Sequence, residues 1–152
     1  MRHFAARTEI AAPAARVWDT LLDVAAWPSW DPGLDRVEGT LDEGGRVTIH
    51  VTESSRPFRL LVTEREPGSS LVLRGGLPLG LFSGTRRYRL EARAPDRTSF
   101  SMEESYSGLL APAITRSIPD LQPSFDAFTS GLRRAAETRS KDRPLDHERG
   151  TA

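Results

Sequence analysis

Four side chains in two neighbouring stretches have the types and spacing to do chemistry together. In residues 80–93, Arg86 and Tyr88 share a parity with Phe82, Gly84 and Leu90; in 97–107, Glu104 and Tyr106 share one with Phe100 and Met102. Alternate residues of a β-strand face one side. A short turn at Ala94-Pro95-Asp96 would make the two stretches an antiparallel hairpin, with Leu90 opposite Phe100, Tyr88 opposite Met102 and Arg86 opposite Glu104. The apolar members turn that face inward, so a guanidinium and a carboxylate are expected to meet inside the protein. Such a pair can be a bidentate structural tie. It can also orient a ligand's polar group, or join the two tyrosines in acid–base chemistry. A slip of one residue would expose both charges and bury Arg87 and Arg89 instead.

Other chemistry-bearing residues are weaker candidates. His3 and His50 fall on strand faces opposite the apolar residues, and His147 lies near the C-terminus. They are too scattered for a metal site, and neither a metal nor a cofactor is expected. Trp18, Trp27 and Trp30 make an aromatic group that serves either as core or as the mouth of a site for a flat apolar ligand. Trp18 suits the core and Trp30 the mouth. Asp31 and Asp35 read as turn and cap residues. Gly75, Gly76, Gly80 and Gly84 flank Leu77-Pro78-Leu79 and Leu81-Phe82. This is no phosphate loop, because the lysine and the strand-to-helix setting are missing. It reads as a hairpin with glycine bends or as an apolar flap over an entrance.

These residues need elements to hold them. Residues 4–10 alternate and make a half-buried strand, ended by Ala11-Ala12-Pro13. Val17, Trp18, Leu21 and Leu22 follow at helical spacing, and Val24, Trp27 and Trp30 make a second short helix or turn. From 34 to 107 the period is two, with strands at 34–41, 45–53, 57–66, 69–76, 80–93 and 97–107 separated by Gly, Pro, Asp and Ser turns. In 57–66 the parity is ambiguous, and a bulge would reconcile Leu61 with Phe58, Leu60 and Val62. Leu110, Ile114, Ile118, Leu121, Phe125, Phe128 and Leu132 then form one apolar stripe. It predicts a single helix over 109–137, bent by Pro119 and Pro123. The expected fold is α+β: a seven-stranded curved antiparallel sheet around a long C-terminal helix, with two short helices between strands 1 and 2. The domain is expected to span 1–138, and the charged segment 139–152 to be a disordered tail.

Composition removes several function classes. The 152 residues carry 21 positive and 21 negative side chains. Without an overall basic excess, neither nucleic-acid binding nor attachment to anionic membranes is expected of the chain as a whole. There is no cysteine, so thiol catalysis and zinc–thiolate sites are excluded. No apolar run is long enough to span a bilayer. The opening MRHFAARTEI lacks the apolar region of a secretory signal, and a cytoplasmic location is expected. Lys141 is the single lysine, a bias that suggests a GC-rich bacterial genome.

The opening Ile10-Ala11-Ala12-Pro13-Ala14-Ala15-Arg16-Val17-Trp18 resembles that of the START-like (SRPBCC) helix-grip superfamily, with one extra residue before Val17. Trp27-Pro28-Ser29-Trp30-Asp31-Pro32, Leu73-Arg74-Gly75-Gly76 and the strand from Phe100 to Gly108 add to the likeness. It covers about residues 2–138, and its nearest branch is polyketide cyclase/dehydrase-type and lipid-transport-type domains. The resemblance implies an internal cavity for a hydrophobic small molecule such as a lipid, polyketide or isoprenoid. Its expected lining is Trp27, Trp30, Leu73, Phe82, Arg86, Tyr88, Met102, Glu104, Tyr106, Ile114, Ile118, Leu121 and Phe125. A non-catalytic carrier is the favoured expectation. A polyketide cyclase or aromatase using Arg86, Tyr88, Glu104 and Tyr106 is the alternative, and a protein-interaction module the third.

Overall fold

The structure is a computed structural model in which residues 3–142 are described. Seven strands form one curled antiparallel sheet: β1 His3–Ile10, β2 Leu34–Gly39, β3 Arg46–Val51, β4 Phe58–Glu66, β5 Ser70–Leu77, β6 Phe82–Ala94 and β7 Arg97–Ser107. Their order is β1-β7-β6-β5-β4-β3-β2, so the first strand returns to pair with the last. Helix α1 (Ala14–Leu22), a 3₁₀ turn (Val24–Ala26) and helix α2 (Trp27–Trp30) connect β1 to β2. The fourth strand has a bulge, but as a register shift between Val62 and Glu64, after the residues it was expected to reconcile; Leu60 and Val62 share one face and Leu61, opposite Arg74, takes the other. Val62 is buried, and Leu60 and Leu61 are half-exposed.

The C-terminal helix corrects the sequence reading. Instead of one bent helix over 109–137 there are two, α3 (Ala111–Thr115) and α4 (Gln122–Asp142), with residues 116–121 non-helical between them. Pro119 disfavours helical backbone at Ile118 and has no N–H to give. Asp120 then caps the restart, accepting a bond from the Gln122 amide at 3.0 Å. Pro123 falls in the first turn of α4, where a missing N–H costs nothing. The break also resets the phase of α3. Ala111 and Thr115 are its buried residues, whereas Ile114 is half-buried and stays outside the core cluster. At the other end α4 runs four residues past the expected domain boundary of 138. The rest of the anticipated tail, with His147, lies outside the described residues.

Helix α4 lays Phe125, Phe128, Leu132 and Ala136 into the concave face of the sheet. It passes so near α2 that a Cβ at Gly131 would collide with the Trp30 carbonyl and ring. The turns 52–57, 78–81 and 108–110 gather at one end of the curled sheet, the mouth; the turns 40–45, 67–69 and 95–96 gather at the other.

Candidate functional site

The concave face is built in layers that follow from the strand register. Deepest of those that matter, Leu90 stands opposite Phe100. Next come Leu71, Tyr88, Met102 and Ala6 across β5, β6, β7 and β1. The following layer is Leu73, Arg86, Glu104 and Phe4, and then Gly75, Gly84 and Tyr106. Leu77 opposite Phe82 forms the lip. The pairings of Arg86 with Glu104, Tyr88 with Met102 and Leu90 with Phe100 are those read from the sequence. The expected three-residue turn is instead a two-residue turn with a bulge between Ala92 and Ala94.

The two deeper layers are a floor of packed rings. Phe128 lies 4.9 Å from Trp27, 5.0 Å from Trp30 and 5.6 Å from Tyr88, and Tyr88 lies 6.1 Å from Phe100, all centroid to centroid. Trp27 is anchored by its indole N–H, which donates to the Leu21 carbonyl at 3.0 Å. At this level the space expected for a ligand is filled by side chains. Trp18 does not join these rings; it is buried under the Arg65 guanidinium, 5.8 Å from the ring centre.

Above the floor sits the charge layer. Arg86 Nε donates to Glu104 Oε1 at 3.2 Å, and Nη2 lies 3.2 Å from the same oxygen. The Tyr106 hydroxyl donates to Glu104 Oε2 at 2.7 Å. The guanidinium also covers the Phe125 ring at 5.0 Å. Burial, the largest single influence, would depress the Arg86 pKa, but Glu104 and Tyr88 together outweigh it and hold the pKa above its ordinary value. Tyr88 is pushed up, chiefly by burial, against the opposing pull of Arg86. Arg86 is near enough to act on Tyr88 by charge and as a hydrogen-bond donor, yet the contact falls short of a well-formed bond and the Tyr88 hydroxyl has no other partner among the described residues. An orphaned buried hydroxyl is uncommon and costly.

The mouth half is looser. Gly75 and Gly84 leave room for flat neighbours: a Cβ at Gly75 would strike Leu60, and one at Gly84 would press on the Tyr106 ring. Phe82 stacks on Tyr106 with centroids 5.9 Å apart. Trp30, Phe82, Ile118 and Leu121 are partly exposed and pack against the core from the mouth side. Of the residues expected at a site, Trp27, Leu73, Met102 and Phe125 are fully buried wall or floor. Arg86, Tyr88, Glu104 and Tyr106 converge as foreseen, and Ile114 does not reach them.

One residue near the site was passed over as a turn former. Asp31 does make the turn, accepting from the Gly33 amide at 3.0 Å, but its side chain is buried. Burial raises its carboxyl pKa, and its charge is felt at Tyr88. The signal available was its place directly after two tryptophans. His3 and His50 lie away from the site: His3 pairs with Glu103 and His50 with Glu38. A separate groove of about 330 Å³ runs over the convex face between Arg7, Arg87, Arg89 and Glu103, on the far side of the sheet from the charge layer.

The match to known proteins covers the same span as the fold. A family model described as polyketide cyclase / dehydrase and lipid transport matches residues 1–137. The chain belongs to that family. A search of curated protein sequences gives no match. Solved structures share the fold of this polyketide cyclase/dehydrase and lipid transport domain at low identity. A hypothetical protein from Helicobacter pylori is 17% identical with TM-score 0.71, over 89% of this chain and 88% of that one. An aromatase/cyclase from a Streptomyces species is 18% identical with TM-score 0.66, over 91% and 94%. A protein from Thermus thermophilus is 16% identical with TM-score 0.68, over 91% and 99%. At such identities the likeness concerns the fold of the family member, and the site must be argued from its own residues.

Proposed function

We propose that the protein binds and carries a hydrophobic small molecule bearing at least one polar oxygen, such as a lipid, polyketide or isoprenoid. The ligand would lie in the mouth half, between the apolar lip and the ring floor. The observation that carries this reading is the charge layer itself. Arg86, Glu104 and Tyr106 stand between an apolar floor and an apolar entrance, with the Tyr88 hydroxyl left to find a partner. A ligand oxygen accepting from Tyr88 or Arg86 would satisfy that group. Catalysis is the weaker reading on charge grounds. Arg86 is held protonated and Tyr88 is raised rather than lowered, so neither serves as a base near neutral pH.

An enzyme of the aromatase/cyclase type is the second reading. It draws on the fold shared with the Streptomyces aromatase/cyclase and on four polar side chains in adjacent layers. A protein-interaction module is the third, favoured by the filled floor. Native mass spectrometry of ligand captured on purification, followed by titration against a lipid and polyketide panel, separates them. The carrier reading expects an unaltered oxygen-bearing apolar ligand, bound more weakly by Tyr88→Phe. Turnover of a poly-β-ketone, lost in Glu104→Gln, would favour the enzyme. No heat with any ligand would favour the interaction module.

A further inference from the structure

Among the described residues, five large apolar side chains are exposed: Phe58, Leu77, Leu79, Leu109 and Leu110. All five stand at the mouth. Leu77 and Leu79 belong to the β5–β6 turn. The β7–α3 connection is tied to that turn by the Leu109 amide on the Gly80 carbonyl at 3.2 Å and the Leu110 amide on the Leu81 carbonyl at 2.8 Å. Continuing the β4–β5 register from Leu61 opposite Arg74 sets Phe58 beside Leu77. At the tip, Leu79 is 92% exposed and takes φ +61°, followed by Gly80 at +72°. With the Leu81 amide donating to the Pro78 carbonyl, this is a turn whose first central position favours Asn, Asp or Gly. A leucine there strains the backbone, packs on nothing and faces water. Fold stability accounts for none of that.

The charge around this patch leans positive although the whole chain is neutral. No aspartate or glutamate occurs in residues 54–63, 67–90 or 105–119, the stretches that carry the patch. They supply exposed Arg56, Arg59, Arg74 and Arg116, none in an ion pair among the described residues. Three carboxylates stand nearby, Glu53 in the 52–57 turn itself and Asp35 and Asp120 in flanking segments, so the four arginines outnumber them by one. Apolar fingers fenced by unpaired arginines are the two signals that together hold a protein on an anionic bilayer surface. The same fence disfavours a second copy, whose arginines would face these ones.

We propose that the mouth is a docking surface for an anionic lipid bilayer, with Leu79 and Leu109 inserted at the headgroup boundary and the arginines on phosphate. The inner face of β5 then offers a continuous apolar path, Leu77, Gly75, Leu73, from the bilayer to the charge layer. This deepens the carrier reading. Vesicle binding is measured without ligand and ligand capture without vesicles, so either can fail alone.

The test is co-flotation with phosphatidylglycerol–phosphatidylcholine vesicles against pure phosphatidylcholine, at low and high salt. The wild type should bind the anionic vesicles, release them in high salt, and bind pure phosphatidylcholine about tenfold less. Leu79→Asn with Leu109→Ser should lose at least about tenfold in binding. Leu79→Asn alone should leave the fold intact with a slightly raised Tm, because asparagine suits that backbone. Arg56→Gln with Arg59→Gln and Arg74→Gln should abolish the preference for anionic lipid. Absence of binding to anionic vesicles at low salt, or binding that the leucine variants leave unchanged, overturns the proposal. So does a concentration-dependent dimer that those variants dissolve.

Discussion

The two halves of the curled sheet use the same strands for opposite ends. In the deep half most inward positions carry packed apolar or aromatic side chains: Ile10, Leu21, Leu71, Tyr88, Phe100 and Leu132 are all buried. In the mouth half the same strands carry glycines, a buried ion pair and half-exposed apolar residues. The deep half has no group whose burial demands a ligand, apart from the Tyr88 hydroxyl, which lacks a well-formed bond and faces Arg86 in the layer above. The mouth half has charges that cost free energy to bury, backbone strain at Leu79 and apolar surface left in water. A fold sacrifices local stability in this way where something must bind.

The comparison breaks most sharply if the deep half is cut. Phe128→Ala should lose about 3–5 kcal/mol in urea unfolding, since that ring meets Trp27, Trp30, Tyr88 and Phe100. A loss under about 1 kcal/mol would mean that the floor is already loosely filled.

The charge layer comes next. Glu104→Ala should cost about 3 kcal/mol by stranding Arg86, whose side chain is only 20% exposed. Arg86→Met combined with Glu104→Leu should cost far less than the sum of the single changes, a non-additivity that a double-mutant cycle reads directly. Additive losses would show that the two charges do not depend on each other.

Gly131→Ala should cost about 1–3 kcal/mol, because α4 or α2 must shift to admit one methyl group. An unchanged melting curve would place α2 further from α4.

The smallest effect concerns Asp31. Burial raises its folded pKa above the ordinary aspartate value of about 3.8. Its contribution to stability is therefore greatest below that value and declines as pH rises through the folded pKa. Asp31→Asn removes this loss, so it should be more stable than the wild type at neutral pH, with the gain vanishing on acidification to about pH 4. A gain that persists in acid would contradict the assignment.

Much of this was legible in the sequence, and for physical reasons. Period-two alternation fixes which residues share a face, so the inward register of Arg86 and Glu104 followed from their apolar neighbours. The conflict between Leu61 and Leu60 was not resolved by a bulge: Leu61 turns to the outer face beside Arg74, and the bulge falls after Val62. The C-terminal stripe misled because periodicity reports phase and not continuity. Ile114, Ile118 and Leu121 kept a helical spacing across a break that Pro119 imposes. Asp31 was passed over because a turn role visible in sequence does not reveal burial, which depends on where Trp27 and Trp30 carry it. The carboxylate-free stretches of the mouth were hidden by a net charge of zero, since they stand together only when three distant segments are brought to one end of the sheet.

The most direct test of the carrier account is the ligand selectivity of the folded Arg86→Met, Glu104→Leu double variant. Its affinity for a wholly apolar dye and for an oxygen-bearing aromatic ligand would be measured beside the wild type by titration calorimetry. The account predicts that dye binding is retained while the oxygen-bearing ligand binds about tenfold more weakly, the worth of one good hydrogen bond. Equal affinities of the two proteins for both ligands would contradict it and reduce the charge layer to a structural tie.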